Sequence, residues 1–363
     1  MKVSIGFRPT LKPYGGGNNF VNSLSSMLRQ DGHEVVYDLK DSDIDIILMI
    51  NPLNTSEFST YNNYDIDFYQ TFKNKTAISI QRFNECDERK GTENINRELI
   101  NKNLNIDFNV FVSNWLKDIF YSPLKETPFK VIRGGPDKTI FNMNGKKKWD
   151  NKLPIKLVTH HWSNHINKGY EVYQYIDQLL NNSYWKLRLS FTLIGNYPKD
   201  IQFQNTNLIP PLNNFELSKE LRNHHIYITA SKNEPSGNHH MEGILCGLPV
   251  LFMDSGGVTE YCEEFGVKFD KVNLEIKLNE LIDNYSLYFE KIKNYPYSFE
   301  HTYGEYIKLF NYLCENKNKI SNLRKDNSKA KVILHYILNK LFKISRQMLV
   351  YSKILLGSLK RKL

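Results

Sequence analysis

Short apolar segments with the composition of β-strands alternate with amphipathic helical stretches along most of the chain. This alternation is typical of α/β proteins, in which helices connect neighbouring parallel strands. A basic run at 146–148 and Pro154 indicate a linker, after which the alternation begins again. We therefore predict two Rossmann-like domains, each a doubly wound parallel sheet, which face each other across a cleft. The predicted strands span 2–7, 34–37, 44–50, 76–81, 108–113, 129–135, 155–161, 189–195, 226–229 and 249–253.

The length of 363 residues suits two domains of about 150 residues each better than a single core. We place the first domain at 1–152 and the second at 153–297. A helix at 298–318 is expected to cross back to the first domain, and residues 319–363 form a helical tail.

Cysteine usage and the N-terminus bear on the cellular compartment. The four cysteines are far apart and form no C-x-x-C pair, which suggests a reducing environment. The chain starts directly with a predicted strand, and no apolar run approaches the roughly 20 residues of a membrane span. We expect a cytoplasmic protein, which the tail could bring to the inner face of the cell membrane.

The basic charge is concentrated in the tail. Residues 320–363 contain eleven Lys or Arg and one Asp, which gives this segment a net charge of +10. The net charge of the whole chain is +9, so the tail carries all of the basic excess. Apolar residues recur between these cations at helical spacing, from Val332 to Leu359. A basic amphipathic helix of this kind fits an anionic membrane surface, and packing on the protein or on a partner is the alternative. Nucleic acid is not expected as a partner, because the tail lacks the polar, glycine- or arginine-rich character of nucleic-acid-binding arms.

A strand-loop-helix-strand unit at 226–253 carries the densest set of candidate site residues. In such units a ligand binds beyond the carboxyl end of the first strand, against the N-terminus of the helix. Glu234 and Glu242 bracket the loop, and Ser236 and Gly237 lie between them. The pattern indicates a loop that holds a nucleotide-linked substrate.

This loop belongs to a longer series of motifs. Glu234-x7-Glu242 is followed by Cys-Gly-Leu-Pro-Val at 246–250 and by Gly-Gly-Val-x-Glu at 256–260. The supporting elements are Gly15-Gly16 before a helix that ends at Gly32-His33-Glu34-Val35, Lys168-Gly169, and Ser298-Phe299-Glu300 at the start of a late helix. In this order, and over residues 1 to about 318, the series resembles the retaining glycosyltransferases of GT-B architecture, the large family-four group.

The resemblance implies roles for the loop residues. Glu242 would hold the two hydroxyls of the donor ribose, since a carboxylate can accept two hydrogen bonds from a cis-diol. Glu234 would be a catalytic residue beside the donor sugar, near its anomeric centre. The amides of Ser236 and Gly237 would face sugar or phosphate at the start of the helix.

The resemblance also implies how the diphosphate is held. Lys168 would neutralise it, and Gly16 of the other domain would close over it through its amide. Such positive charge stabilises the departing nucleoside diphosphate in the transition state. No metal and no cofactor beyond the donor itself is expected, because the lysine and the helix ends supply that charge. The domain at 153–297 would then bind the nucleotide sugar, and the domain at 1–152 would lie on the acceptor side.

The sequence departs from the family pattern at Trp162, where many relatives carry an arginine that also binds the diphosphate. The alternatives for this contact are one of the histidines at 160, 161 and 165, or Arg82 from the first domain. The histidines here and at 239–240 have no carboxylate or cysteine at a supporting spacing, so we predict no metal site.

Arg82 is a second departure, because many relatives carry a histidine at the end of the corresponding strand. We place Arg82, Asn84 and Asp87 on the acceptor side of the cleft. Arg82 is a catalytic candidate beside Glu234 and Lys168.

The resemblance predicts a retaining, metal-independent glycosyltransferase that moves a sugar from a nucleotide diphosphate donor to a hydroxyl acceptor. A glycan or a lipid-linked acceptor in cell-surface glycan or glycolipid assembly is the expected setting. Two alternatives stay open at this stage. The first is a nucleotide-sugar epimerase or hydrolase of the same fold, and the second is a non-catalytic, membrane-associated subunit that keeps only the fold.

Overall fold

The computed structural model describes residues 1–10, 15–53, 56–152, 154–324 and 327–359, with side chains described up to Ser345 and at Met348. The first part of the chain alternates strands and helices. In order, its elements are β1 (Lys2–Ile5), α1 (Gly16–Gln30), β2 (Glu34–Val36), β3 (Ile46–Met49), α2 (Asn63–Phe72), β4 (Ile78–Phe83), α3 (Asp87–Lys90), α4 (Ile95–Asn101), β5 (Phe108–Phe111), α5 (Asn114–Leu124) and β6 (Phe129–Val131).

The second part repeats this plan, and three helices follow it. Its elements are β7 (Ile155–His161), a 3-10 turn (Ile166–Lys168), α6 (Tyr170–Leu179), α7 (Ser183–Arg188), β8 (Leu189–Gly195), β9 (Asn207–Ile209), α8 (Asn214–Arg222), β10 (Ile226–Thr229), α9 (Asn238–Leu245), β11 (Val250–Met253), α10 (Val258–Cys262), β12 (Gly266–Phe269), α11 (Leu274–Asp283), α12 (Tyr285–Ile292), α13 (Phe299–Glu315), α14 (Lys317–Asn322) and α15 (Lys329–Leu359).

The strands form two six-stranded parallel sheets, which confirms the predicted fold class. The first sheet has the order β2-β1-β3-β4-β5-β6, and the second has the order β12-β11-β10-β7-β8-β9. In the second sheet β8 and β9 are added on one side of β7, and β10 to β12 are added on its other side. The strand order therefore changes direction between β7 and β10, which pair in parallel. Ligands of open α/β sheets bind at the carboxyl ends of the strands beside such a switch point. The loops after β7 and β10 carry Lys168 and Glu234.

Each sheet has its own hydrophobic core, and α13 belongs to the first one. Its Phe299 and Tyr306 rings lie 6.0 and 5.4 Å from the ring of Phe20 on α1. The late helix therefore returns to the first domain. We propose that the domain boundaries lie near residues 152 and 297.

The chain crosses between the domains twice, after β6 and before α13, and the two crossing segments lie side by side. A Cβ atom on Gly135 would lie 2.4 Å from the carbonyl carbon of Ser298, so only glycine fits there. The backbone N–H of Phe299 donates to the carbonyl of Pro136 at 2.8 Å. The Thr302 hydroxyl donates to the carbonyl of Arg133 at 3.0 Å. These contacts hold the outgoing and returning segments together.

The predicted tail forms the long helix α15, and its polar side faces the protein. Asn339 accepts a hydrogen bond from Asn62 at 2.9 Å, and the Lys343 ammonium lies 2.7 Å from a carboxylate oxygen of buried Asp65. The Tyr336 ring stacks on Phe68 of α2 with 4.0 Å between centroids. The apolar side chains on the opposite side of the helix are exposed. These are Ile333, Leu334, Ile337, Leu338, Leu341, Phe342, Ile344 and Met348.

The tail also includes residues outside the described part of the chain. Lys325, Asp326 and the basic residues at 360–362 belong to this group. Within the described part, no helix is long and apolar enough to cross a lipid bilayer.

Candidate active site

The loop between β10 and α9 has a backbone that only particular residues can adopt. Gly237 has a φ of +72°, and a Cβ atom there would lie 2.8 Å from Cγ of Glu234. Both facts favour glycine, because other residues rarely adopt positive φ and need space for a side chain. The turn packs Glu234 against the start of α9, where the helix leaves its first backbone N–H groups free for a ligand.

Glu234 is buried between two cations that come from different domains. Its carboxylate oxygens lie 2.6 Å from Nζ of Lys168 and 3.2 Å from Nε of Arg89. Burial opposes ionisation, but the charges of Lys168 and Arg89 outweigh it and hold the pKa of Glu234 well below its usual range. Glu234 is therefore a carboxylate at any physiological pH.

Lys168 is placed by the 3-10 turn Ile166–Lys168 in the loop after β7. Its neighbour Gly169 has a φ of +80°, and a Cβ atom there would lie 2.1 Å from the carbonyl oxygen of Ala230. This contact brings the Lys168 turn against the loop that follows β10. The sequence pair Lys168-Gly169 thus puts the ammonium group beside Glu234, as its side-chain distance of 2.6 Å shows.

Arg89 is a site residue that the sequence analysis missed. It extends from α3 of the first domain across the cleft, and it also lies 2.9 Å from Oε2 of Glu85. The available signal was the dense polar run after β4, in which Glu85 and Arg89 have the i, i+4 spacing of a helical ion pair. Its second partner, Glu234, lies 145 residues later and has no signature in sequence.

Glu242, the predicted ribose ligand, lies one turn into α9. Its Oε2 lies 2.7 Å from Nε2 of His160, and the other ring nitrogen of His160 lies 3.2 Å from the Tyr227 hydroxyl. The side chain of Glu242 is only 12% exposed. The histidine therefore orients the carboxylate of Glu242.

The histidines at 161, 239 and 240 bring no positive charge in place of the arginine that is missing at position 162. Burial lowers the pKa of His240 to about 3 and holds the pKa values of His161 and His239 well below their usual range. These rings are uncharged at neutral pH, and both nitrogens of His240 lack a hydrogen-bond partner. Trp162 itself points into solvent with 54% of its surface exposed. In the described part of the chain, no three His, Cys, Asp or Glu side chains converge as metal ligands do.

Gly16 brings the first domain to the same place. It is the first residue of α1, and a Cβ atom on it would lie 3.6 Å from Nδ2 of Asn238, the first residue of α9. The N-termini of two helices from different domains therefore face each other across the cleft. Helix N-termini carry free N–H groups and partial positive charge, which suit an anionic ligand. Ser236 lies at the same end, with its Oγ 3.4 Å from the position of a Cβ atom on Gly134.

Arg82 lies farther into the first domain than the other candidates. It is 8% exposed, and its guanidinium carbon lies 4.1 Å from the ring centroid of Phe20. Asn84 lines the same cavity as Arg82. Asp87 is used differently, because it accepts hydrogen bonds from the backbone N–H groups of Ile95 and Asn96 at 2.8 and 2.9 Å. It thus fixes the start of α4.

A contact from the Gly-Gly-Val-x-Glu segment joins the two domains beside the cleft. The Glu260 carboxylate accepts hydrogen bonds from the backbone N–H groups of Asn114 and Trp115 at 2.9 and 2.7 Å. It also lies 3.0 Å from a guanidinium nitrogen of Arg133. A carboxylate of the second domain thereby caps α5 of the first domain, which holds the two sheets together beside the site.

The fold can be compared with that of known proteins. No protein-family model matches the sequence, and no curated protein matches it. Solved structures match over most of the chain. A glycosyltransferase from Rickettsia africae has a TM-score of 0.61 and 14% identity, over 87% of this chain and 98% of its own. HepE from Anabaena, in complex with UDP and glucose, has a TM-score of 0.58 and 13% identity, over 85% of this chain and 99% of its own.

A third structure is an α-glucosyltransferase in complex with UDP and a 13-mer DNA. It has a TM-score of 0.56 and 12% identity, over 86% of this chain and 100% of its own. All three alignments span both sheets and leave only a small part of either chain unmatched. This chain therefore has the two-domain GT-B fold that these glycosyltransferases share.

Proposed function

We propose that this protein is a retaining glycosyltransferase that moves a sugar from a nucleoside diphosphate to a hydroxyl acceptor. The observation that carries the proposal is the meeting of Glu234, Lys168, Glu242 and Gly16 at one cleft between two sheets. They come from three distant parts of the sequence, since only Glu234 and Glu242 share one segment, and each has the chemistry that one part of a nucleotide sugar requires. UDP is the first nucleotide to test, because HepE and the α-glucosyltransferase were solved with it.

In the proposed mechanism the second domain holds the donor. The Glu242 carboxylate, oriented by His160, accepts hydrogen bonds from the ribose hydroxyls. Lys168 and the N-termini of α1 and α9 bind the diphosphate and stabilise the charge that develops on it as it leaves. Positive charge supplied in this way needs no metal ion or further cofactor.

The sugar would lie beside Glu234. As the bond to the diphosphate breaks, positive charge develops on the sugar ring, and an ionised carboxylate stabilises it. Glu234 is held in this state by its two cations. The acceptor hydroxyl attacks from the face that the diphosphate leaves, the diphosphate takes the proton, and the configuration is retained.

Binding of UDP by wild type and variants tests the donor site. Glu242→Gln should weaken UDP binding by about tenfold, since it removes a charged acceptor of hydrogen bonds. Lys168→Met should lower turnover as well as affinity. Glu264→Gln and Lys186→Met alter exposed residues elsewhere in the second domain and serve as matched controls. Equal UDP affinity and turnover in all four variants would contradict the assignment.

Product analysis separates transfer from the alternatives. The expected product is an α-linked sugar when the donor is α-linked, detected by NMR. Free sugar or an epimer that forms as fast as UDP is released would show a hydrolase or an epimerase. UDP-sugar binding without any turnover would favour a non-catalytic subunit.

The acceptor is proposed to be a glycan or a lipid-linked molecule in cell-surface glycan or glycolipid assembly. The α-glucosyltransferase that was solved with DNA runs against the prediction that nucleic acid plays no part. A 13-mer DNA duplex therefore belongs in the acceptor screen. Sugar transfer to it would overturn the proposed acceptor class.

The helix α15 supports a second part of the proposal, which is attachment to an anionic membrane. Its polar side is used for contacts with α2, so its apolar side faces outward. Phe342 and Met348 are 67% and 66% exposed, although burial of such side chains is favourable. Lys340 and Lys343 pair with Asp65, and Arg324 pairs with Asp107. The other basic residues at 320–363 would give the tail its attraction to anionic headgroups.

Vesicle sedimentation tests the membrane proposal. The full chain should bind vesicles that contain phosphatidylglycerol more strongly than pure phosphatidylcholine vesicles. Leu338→Asp and Phe342→Asp should abolish binding, while Leu187→Asp, which alters an exposed leucine of α7, should not. Wild-type dimers without vesicle binding would show instead that a second copy covers this face.

A further inference from the structure

A cavity of about 410 Å³ lies in the first domain, beside the loops that follow β1, β3 and β4. Arg82, Glu85 and Lys90 line it, and Glu85 is also the partner of Arg89, which reaches Glu234. The remaining wall is largely apolar and includes Phe7, Ile50, Pro52, Leu53, Phe83, Ile95 and Leu99. The cavity thus joins an apolar space to the polar cluster at the cleft.

Arg82 is buried in this wall without a counter-charge. Among the described residues, no carboxylate lies within 4.0 Å of its guanidinium group, and its Nη1 has no hydrogen-bond partner. Its neighbours are the Phe20 ring and the hydroxyl of Tyr306. Burial raises the pKa of Tyr306 to about 12 even though the Arg82 charge opposes it, so the phenol is neutral. A buried cation without an anion is unfavourable, because desolvation is not compensated.

Glu85, the acidic residue in the cavity wall, is already paired. Glu85 lies 2.9 Å from a guanidinium nitrogen of Arg89 and 3.2 Å from the ammonium group of Lys90. Arg89 is also paired with Glu234, so the charged side chains that line the cavity itself are Arg82, Lys90 and Glu85, with a net charge of +1. The cavity has a surplus of positive charge on one side and apolar side chains on the other.

We propose that the cavity binds the acceptor through a phosphate group held by Arg82, with the uncharged part of the acceptor against the apolar wall. This inference rests on the proposed transferase function, because it assigns the second substrate of the same cleft. A guanidinium group can donate two parallel hydrogen bonds to phosphate oxygens. The phosphate could belong to a lipid or to a sugar phosphate.

Calorimetric titration of the full chain, saturated with UDP, tests the inference. Octyl phosphate should bind about tenfold more tightly than octanol, as expected for a charged hydrogen-bonded group. Arg82→Gln should remove this difference, and Arg82→Lys should retain part of it. Arg188→Gln, which alters an arginine that stacks on Tyr184 in the other domain, should change nothing. Melting temperatures of all variants show whether each is folded.

The outcomes are distinct. Equal binding of octyl phosphate and octanol by wild type, or an unchanged difference in folded Arg82→Gln, would overturn the inference. If Arg82→Gln is unfolded, the same comparison is made with Arg82→Lys, and full retention of the difference in that variant would overturn the inference. A preference for octyl phosphate over glucose 6-phosphate supports a lipid phosphate, and the reverse supports a sugar phosphate. If the wild-type protein does not bind UDP, the proposed transferase function itself is rejected.

Discussion

The ion pair between Lys168 and Glu234 should stabilise the second domain measurably. The two side chains are 12% and 9% exposed, and their charged atoms are 2.6 Å apart. Removal of one partner from a buried pair costs about 3–5 kcal/mol, because the remaining charge stays desolvated. Since Arg89 still contacts Glu234 at 3.2 Å, we expect Lys168→Met to lower the free energy of unfolding by about 3 kcal/mol, the lower end of that range.

A double-mutant cycle isolates the pair from other effects of the substitutions. Glu234→Leu leaves Lys168 unpaired, whereas the combination of Lys168→Met and Glu234→Leu removes both charges. We therefore expect the double variant to be more stable than the sum of the single changes predicts, by about 2 kcal/mol. Guanidinium denaturation, monitored by tryptophan fluorescence, measures all four free energies of unfolding.

The same loop offers a control and a pH test. Lys232→Met breaks the pair of Lys232 with Glu171, whose side chains are 32% and 39% exposed, and should cost less than about 1 kcal/mol. The pKa of Glu234 is depressed in the folded protein, so its stabilising effect is present above its unfolded pKa of about 4.3 and is lost on acidification. Lys168→Met should therefore cost less at pH 3 than at pH 7. A coupling energy near zero, or equal costs for Lys168→Met and Lys232→Met, would refute the reasoning.

Three further predictions concern the backbone, the histidines and the domain contact. Gly169→Ala should destabilise by at least about 2 kcal/mol in thermal unfolding, since its φ is +80° and its Cβ has no room. Gly304→Ala, in the open interior of α13, should instead stabilise by up to about 1 kcal/mol, and the opposite order would contradict the account. Burial lowers the pKa of His240 to about 3, so stability falls as the pH drops from about 6.5. His240→Leu should reduce that slope by up to about 1.4 kcal/mol per pH unit, and an unchanged slope would show that other groups cause it. Glu260→Gln should open the cleft and increase the radius of gyration in X-ray scattering, whereas Glu263→Gln, at the exposed end of α10, should leave it unchanged.

Most of the sheet architecture follows from the sequence, because apolar strands buried on both faces are recognisable as such. Two short edge strands were not predicted. β9 has three residues that are exposed or partly exposed, and β12 carries the exposed Lys268 in its centre. β9 therefore lacks the buried apolar run by which a strand is recognised in sequence, whereas in β12 the buried Val267 and Phe269 are separated by the exposed lysine and form no continuous apolar run.

The candidate site was predicted in part. The positions of Glu234 and Glu242 follow from the loop between β10 and α9, since local backbone geometry fixes both. The contact of Arg89 with Glu234 depends on how the two domains meet, and no local pattern encodes that. The helical periodicity of α15 likewise predicts an amphipathic helix, but only the position of Asp65 on α2 shows which side faces the protein.

The paired crossings at Gly135 and Ser298 restrict how the two domains can move. Two polypeptide connections that touch each other leave one main freedom, which is rotation about the line where they meet. Sliding or twisting of one sheet past the other would pull the two connections apart. Under the proposed function, release of product should therefore follow a single angular coordinate, and a disulfide that pins the mouth of the cleft should stop turnover while Lys168 and Glu242 are unchanged.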